Sequence, residues 1–96
     1  MGYEFEWDAR KAAANLRKHG VSFEEAATAF ADPLALNMPD PEHSAAEERY
    51  VVLGQSTQGH LLVVCYTERP PRTRLITARP ATRRERIQYD EGQTKD

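Results

Sequence analysis

The run LLVVCY, Leu61 to Tyr66, sets six apolar residues in succession. It falls far short of the ~20 residues that a membrane helix needs, and it lacks the alternation of a strand with one wet face. A short apolar run with β-branched residues at its centre reads as a strand covered on both sides, the middle of a sheet. Its flanks agree. RYVVLG before it and RTRLITA after it read as further strands, with turn signals at QSTQG and RPP, which predicts an antiparallel meander.

Upstream, YEFEW alternates Tyr3, Phe5 and Trp7 with Glu4 and Glu6, the period of a first strand with one buried face. Asp8 stands where an N-cap belongs, ARKAAANLRKH follows, and Gly20 is a natural left-handed terminator, so a helix is predicted from Ala9 to His19. SFEE is a capping box in which Ser22 and Glu25 satisfy each other's backbone donors. Phe23, Ala26, Ala27 and Phe30 recur at helical spacing as the buried stripe of this second helix, which ends before Asp32-Pro33. LALNM from Leu34 reads as a short strand, and PDPEHSAAEE as a polar loop punctuated by proline. TRRE, Thr82 to Glu85, is a second capping box, opening a C-terminal helix that should stop near Gly92. The expected fold is α+β: an N-terminal strand, two helices, an antiparallel β-meander of three or four strands and a short C-terminal helix. One domain covers residues 1–92, and residues 93–96 form a disordered tail.

Ninety-six residues, 40% of them hydrophobic, suit one compact core and leave no room for a second domain. The single cysteine, Cys65, forms no intrachain disulfide, and in an apolar strand it reads as a small core residue in a protein of the reducing cytoplasm. No membrane segment and no secretory signal are expected, and Met1-Gly2 does not open a myristoylation signal, because position 6 is Glu. His19, His43 and His60 lie far apart without any metal-ligand spacing, so neither metal nor cofactor is expected. Asp40, Glu42, His43, Glu47 and Glu48 read as a solvated acidic loop. Nucleophile elbows and glycine-rich phosphate loops are absent from the sequence.

Charge is the remaining clue. The formal net charge is only -2, yet Arg69 to Tyr89 holds seven arginines against one acid, Glu85, a local +6 that leaves -8 for the rest. Such asymmetry suits a polyanionic partner. Arg69, Arg72, Arg74, Arg79, Arg83 and Arg84, with Lys18, His19 and Tyr66, make a face suited to RNA. Arginine clamps phosphate and stabilises the charge of a phosphorane, while His, Glu, Tyr or Lys moves protons from the 2′-hydroxyl and to the leaving oxygen. Arginines that only keep a small protein soluble, and aromatics that only fill the core, are the plainer readings of the same residues.

The segments FEWDARKAAANLRKHGVSFEEAATAFADP and EERYVVLGQSTQGHLLVVCYTERPPRTRLITARPATRRERIQY resemble the BrnT family of bacterial toxins over nearly the whole chain. WD, NLRKHGVSFEEA, YTER and RLITARxAxxxE carry the resemblance, in that order. It implies a fold similar to the RelE ribonucleases, a metal-independent endoribonuclease activity that halts translation, and a BrnA-like antitoxin whose ribbon-helix-helix part holds operator DNA. Mapped onto these motifs, the implied site residues are Arg69 and Arg79 as phosphate-binding and charge-stabilising groups, because arginine is no base at working pH. Glu68, His19 and Tyr66 are the proton-transfer candidates, Lys18 is matched beside His19, and Arg72, Arg74, Arg83 and Arg84, taken from the charge pattern, are expected to bind RNA with it. ERPPR departs from the family pattern, since two prolines stiffen the turn that carries Arg69. The alternative is a non-catalytic module whose basic face holds an antitoxin or nucleic acid.

Overall fold

Local signals set the first helix. In the computed structural model, which describes residues 4–40 and 48–94, α1 runs Ala9–His19. Asp8 caps it by accepting from the N–H groups of Arg10 and Lys11 at 2.9 and 3.0 Å, and Gly20 closes it with φ +72°. That left-handed turn is open to glycine at little steric cost. A second helix, α2 (Phe23–Thr28), starts at Ser22 and runs on into a 3₁₀ turn, Ala29–Ala31. Phe23 and Ala26 are fully buried, Ala27 and Phe30 pack against the same core partly covered, and Ala29 joins them where the chain tightens.

Five strands form one sheet: β1 (Phe5–Glu6), β2 (Leu36–Pro39), β3 (Tyr50–Gln55), β4 (Leu61–Arg69) and β5 (Arg72–Pro80), in the order β1-β5-β4-β3-β2. The LLVVCY strand is the central one, as its two apolar faces predict. The sheet is larger than the expected three or four strands, because β1 pairs in parallel with β5 at one edge, Phe5 opposite Thr73 and Glu6 opposite Arg74. Tyr3 lies outside the described residues.

Strand alternation divides the interior. Leu62, Val64 and Tyr66 of β4 face α1 and α2 with Phe23, Ala26, Val52, Leu75 and Ala78. Leu53, Leu61 and Tyr89 form a second cluster with Leu36 and Val63, under the last helix, α3 (Arg83–Thr94). The register slips once, between Cys65 and Tyr66, which leaves Ile76 of β5 without an opposite residue.

Gly92 does not stop α3, which continues to Thr94. It lacks the positive φ of a terminator. A Cβ there would meet Leu36 Cδ2 at 3.2 Å, so this glycine permits close approach of the helix to β2. Gln93 then reaches the carbonyls of Leu34 and Tyr89 at 3.2 and 2.8 Å, which orders two residues of the expected tail; residues 95 and 96 lie outside the described residues. Among the described residues no helix is long and apolar enough to cross a membrane.

Asn15 of α1 solves a backbone problem. Ala78 sits on the edge of β5 beyond the two-residue reach of β1, where its peptide groups lack a strand partner. The buried Asn15 amide takes that place: its Nδ2 donates to the Ala78 carbonyl at 2.8 Å and to Val21 O at 3.0 Å, and its Oδ1 accepts from Ala78 N–H at 3.1 Å. Buried backbone groups need such partners.

Candidate active site

The β4–β5 hairpin carries its polar residues at two separated ends. Arg79 pairs with Val63, six residues before Arg69 on β4, and at about 3.3 Å per residue the two positions lie about 20 Å apart along the sheet. The two arginines therefore start from widely separated points of the hairpin.

At the turn end, Pro70 and Pro71 join Arg69 to Arg72, which face each other across the hairpin, and their mutual peptide bond is cis. Glu68, Arg69 and Arg72 are exposed. Glu68 accepts from the Thr73 hydroxyl at 3.1 Å. Arg74 reaches Glu6 of the neighbouring strand at 3.0 Å, an ion pair that helps hold β1. Tyr66 is a core residue: it is 5% exposed, on the face under α1 and α2, and its hydroxyl donates to Asn37 Oδ1 at 2.7 Å. A hydroxyl so placed does not reach bulk RNA, which corrects its expected part in proton transfer.

At the other end the C-terminus of α1 and the first turn of α3 border a common cleft, with His19 and Arg86 in its wall. Glu85 accepts from both terminal nitrogens of Arg79 at 2.8 Å, a bidentate pair, and from Thr82 N–H at 2.8 Å. The Arg79 hydrogen bonds, with help from Thr82, hold the Glu85 carboxyl at about 2. Arg79 is thus one half of an ion pair, rather than the bare phosphate clamp that its sequence position suggests. Arg83 and Arg84 are exposed on the first turn of α3. Lys18 and His19 end α1 and line a cleft of about 240 Å³ with Lys11, Asn15, Ile76 and Thr77. His19 also borders a second cleft of about 280 Å³, whose wall includes Glu25, His60, Pro80 and Arg86.

Glu25, Ser56 and His60 form a cluster that the sequence does not announce. Glu25 is 8% exposed on α2, and its Oε2 accepts from Ser56 Oγ at 2.7 Å and bonds His60 Nδ1 at 2.6 Å. Burial pushes the carboxyl up, but the hydrogen bonds from Ser56 and His60 outweigh it and the net shift is downward. The residues stand 31 and 35 positions apart, and no local pattern links them. What the sequence offers is the turn signal QSTQG just before His60, and in the structure Gly59 of that turn has φ +84°.

Cys65 keeps its expected structural part. Burial, with a hydrogen bond to Asp40 at 3.3 Å, pushes the thiol up to about 12, far from the thiolate that nucleophilic chemistry requires. Of the acidic loop, Glu42, His43 and Glu47 lie outside the described residues. Among the described residues no group of three or more His, Cys, Asp and Glu is arranged to hold a metal.

The sequence matches, over residues 7–85, the model of a family described as the ribonuclease toxin BrnT of a type II toxin-antitoxin system. The fold is similar to the crystal structure of the ribonuclease toxin BrnT of Brucella abortus, with a TM-score of 0.63 and 21% identity, covering 84% of this chain and 99% of that one. No curated protein matches the sequence.

Proposed function

The chain belongs to the BrnT family, ribonuclease toxins of type II toxin-antitoxin systems, and we propose that it cuts RNA without a metal, so as to halt translation in the cytoplasm. Its antitoxin, on this reading, is BrnA-like, a ribbon-helix-helix protein that alone touches operator DNA. The observation that carries the proposal is the spread of exposed arginines. Arg69 and Arg72 are exposed at the hairpin turn, and Arg83 and Arg84 are exposed on the first turn of α3, which follows the far end of β5, where Arg79 lies about 20 Å from Arg69 by strand geometry.

That spacing suits a track for several consecutive phosphates, with each arginine holding a different one. Arg69 and Arg72 hold the strand at the turn end, with Glu68 beside them as a proton-transfer candidate, and Arg74, paired with Glu6, adds positive charge along β5. Lys18, His19, Arg83 and Arg84 meet it at the other end, where Arg79 and Glu85 brace the start of α3.

Purified chain incubated with RNA and excess EDTA tests the reading. Fragments ending in 2′,3′-cyclic phosphate are expected at a rate that added magnesium does not change. Cleavage that vanishes in EDTA and returns with magnesium would overturn metal independence. The antitoxin part is tested separately: a purified ribbon-helix-helix partner should abolish cleavage, and it should carry all of the operator binding.

A further inference from the structure

His60 is held more firmly than an exposed histidine needs to be. Its backbone N–H donates to Ser56 Oγ at 3.3 Å, and its carbonyl accepts from Ser56 N–H at 2.8 Å, closing a tight turn over Gly59. The ring is tied by Nδ1 to Glu25 at 2.6 Å. Ser56 completes the frame by donating to the same carboxylate oxygen, at 2.7 Å. An ionised carboxylate accepts only, so the proton between the two groups sits on Nδ1. Nε2 is then the basic nitrogen, and among the described residues it has no hydrogen-bond partner. The ring is 62% exposed while the carboxylate behind it is 8% exposed: the buried half orients, and the exposed half is available.

What the ring faces matters as much. The cleft of about 280 Å³ beside it is lined also by His19 and Arg86, with Gly20, Pro80 and Ala81 as its apolar walls. This is close to the ~300 Å³ lower limit of ligand clefts, room for a ribose and its phosphate more than for a whole nucleotide with its base. Two imidazoles and a guanidinium around such a space are the groups that in-line RNA cleavage uses.

We propose that His60 is the catalytic base of RNA cleavage, with Glu25 as its positioning residue and His19 and Arg86 as its partners across the cleft. This rests on the metal-free cleavage proposed above. His60 Nε2 takes the proton of the 2′-hydroxyl, and the 2′-oxygen forms a bond to the adjacent phosphorus. The bond from phosphorus to the 5′-oxygen breaks, and that oxygen takes a proton from His19 in its imidazolium form. Products are a 2′,3′-cyclic phosphate and a 5′-hydroxyl, and exchange with water returns both histidines to their starting states. Arg86 stabilises the added charge on the non-bridging oxygens.

The test compares wild type, His60→Ala and Glu25→Gln in single-turnover cleavage of a labelled RNA in EDTA, with RNA affinity and melting temperature measured on the same preparations. His60→Ala is expected to slow cleavage by ~10²-fold or more, with affinity within twofold and a fall in melting temperature small enough to leave the chain folded at the assay temperature, and free imidazole in the buffer should restore part of the rate. Glu25→Gln should keep its bond to Ser56 and fold, slow cleavage by about tenfold as a misoriented base does, and displace the ascending limb of the pH–rate profile, with His19 and Arg86 unaltered. His60→Ala cleaving within threefold of wild type, or a loss that imidazole does not touch, would overturn the assignment while leaving the ribonuclease intact. Wild-type chain that leaves RNA whole in EDTA would remove the metal-free reading and this one together.

Discussion

Two helices of this chain start with the same signature, Ser-x-x-Glu at Ser22 and Thr-x-x-Glu at Thr82, and their glutamates end in different places. At α3 the box closes in both directions: Glu85 N–H bonds Thr82 Oγ1 at 3.2 Å, and Glu85 Oε1 accepts Thr82 N–H at 2.8 Å. At α2 only half of it forms. Glu25 N–H reaches Ser22 Oγ at 3.0 Å, but the carboxylate turns away to Ser56 and His60.

Burial accounts for the difference. Glu85 keeps 25% of its side chain in contact with solvent and Glu25 8%. A carboxylate in contact with water can take a cap and an arginine together. One withdrawn from water must find strong donors within the fold, because an unpaired buried charge is costly. Capping chemistry therefore governs the backbone half of the motif, and packing governs where the acid goes.

The largest expected effect lies on the α2 side. Glu25→Ala leaves the buried Ser56 hydroxyl without its acceptor and lets go of the exposed His60 ring, and should lower stability by ~2 kcal/mol, read as the urea midpoint at constant slope. Glu85→Ala removes a cap and a partly exposed ion pair, and should cost only ~1 kcal/mol. Equal losses would break the distinction between the two sites.

Acid sharpens the Glu85 side. Its carboxyl is depressed from 4.5 to about 2 by Arg79 and Thr82, so the stability it contributes is fully present above pH 4.5 and is lost as pH falls towards 2. Urea midpoints of wild type and Glu85→Gln, followed from neutral pH downwards, should differ most at neutral pH and converge near pH 2. A gap that stays constant through that window would show that Glu85 stabilises by something other than its charge.

The smallest effects belong to the caps. Ser22→Ala and Thr82→Ala should each cost ~0.5 kcal/mol, since both hydroxyls accept one backbone N–H, at 3.0 and 3.2 Å. Thr82→Ala should leave the Arg79–Glu85 pair in place, and Ser22→Ala should leave the His60 frame in place. Thermal melts of the two variants, with one-dimensional NMR of the His60 ring, check this. A displaced His60 signal in Ser22→Ala would couple the two halves after all.

Legibility followed the range of the interaction. The bounds of α1 could be read because Asp8 and Gly20 act within four residues of the groups they satisfy. The central place of β4 could be read because a strand apolar on both faces has nowhere else to go. The order of the sheet was less accessible. Phe5–Glu6 is too short to show by pattern that it pairs in parallel with Arg72–Pro80, and a glycine near a helix end does not say whether it turns the chain or, as at Gly92, admits Leu36.

The α+β class, the helix starts, the meander, the basic C-terminal third and, through its motifs, the BrnT family were all readable along the chain. Each rests on local stereochemistry, on hydrophobic period or on a string of residues in fixed order. It took the folded chain to show that Arg69 and Arg79 stand at opposite ends of a strand pair, that Tyr66 lies in the core, that Asn15 completes the edge of β5, and that Glu25 meets His60. These are contacts between segments distant in the chain. Which such pairs meet is set by how the helices and the sheet bury their apolar faces together, and charge and spacing along the sequence carry no record of that.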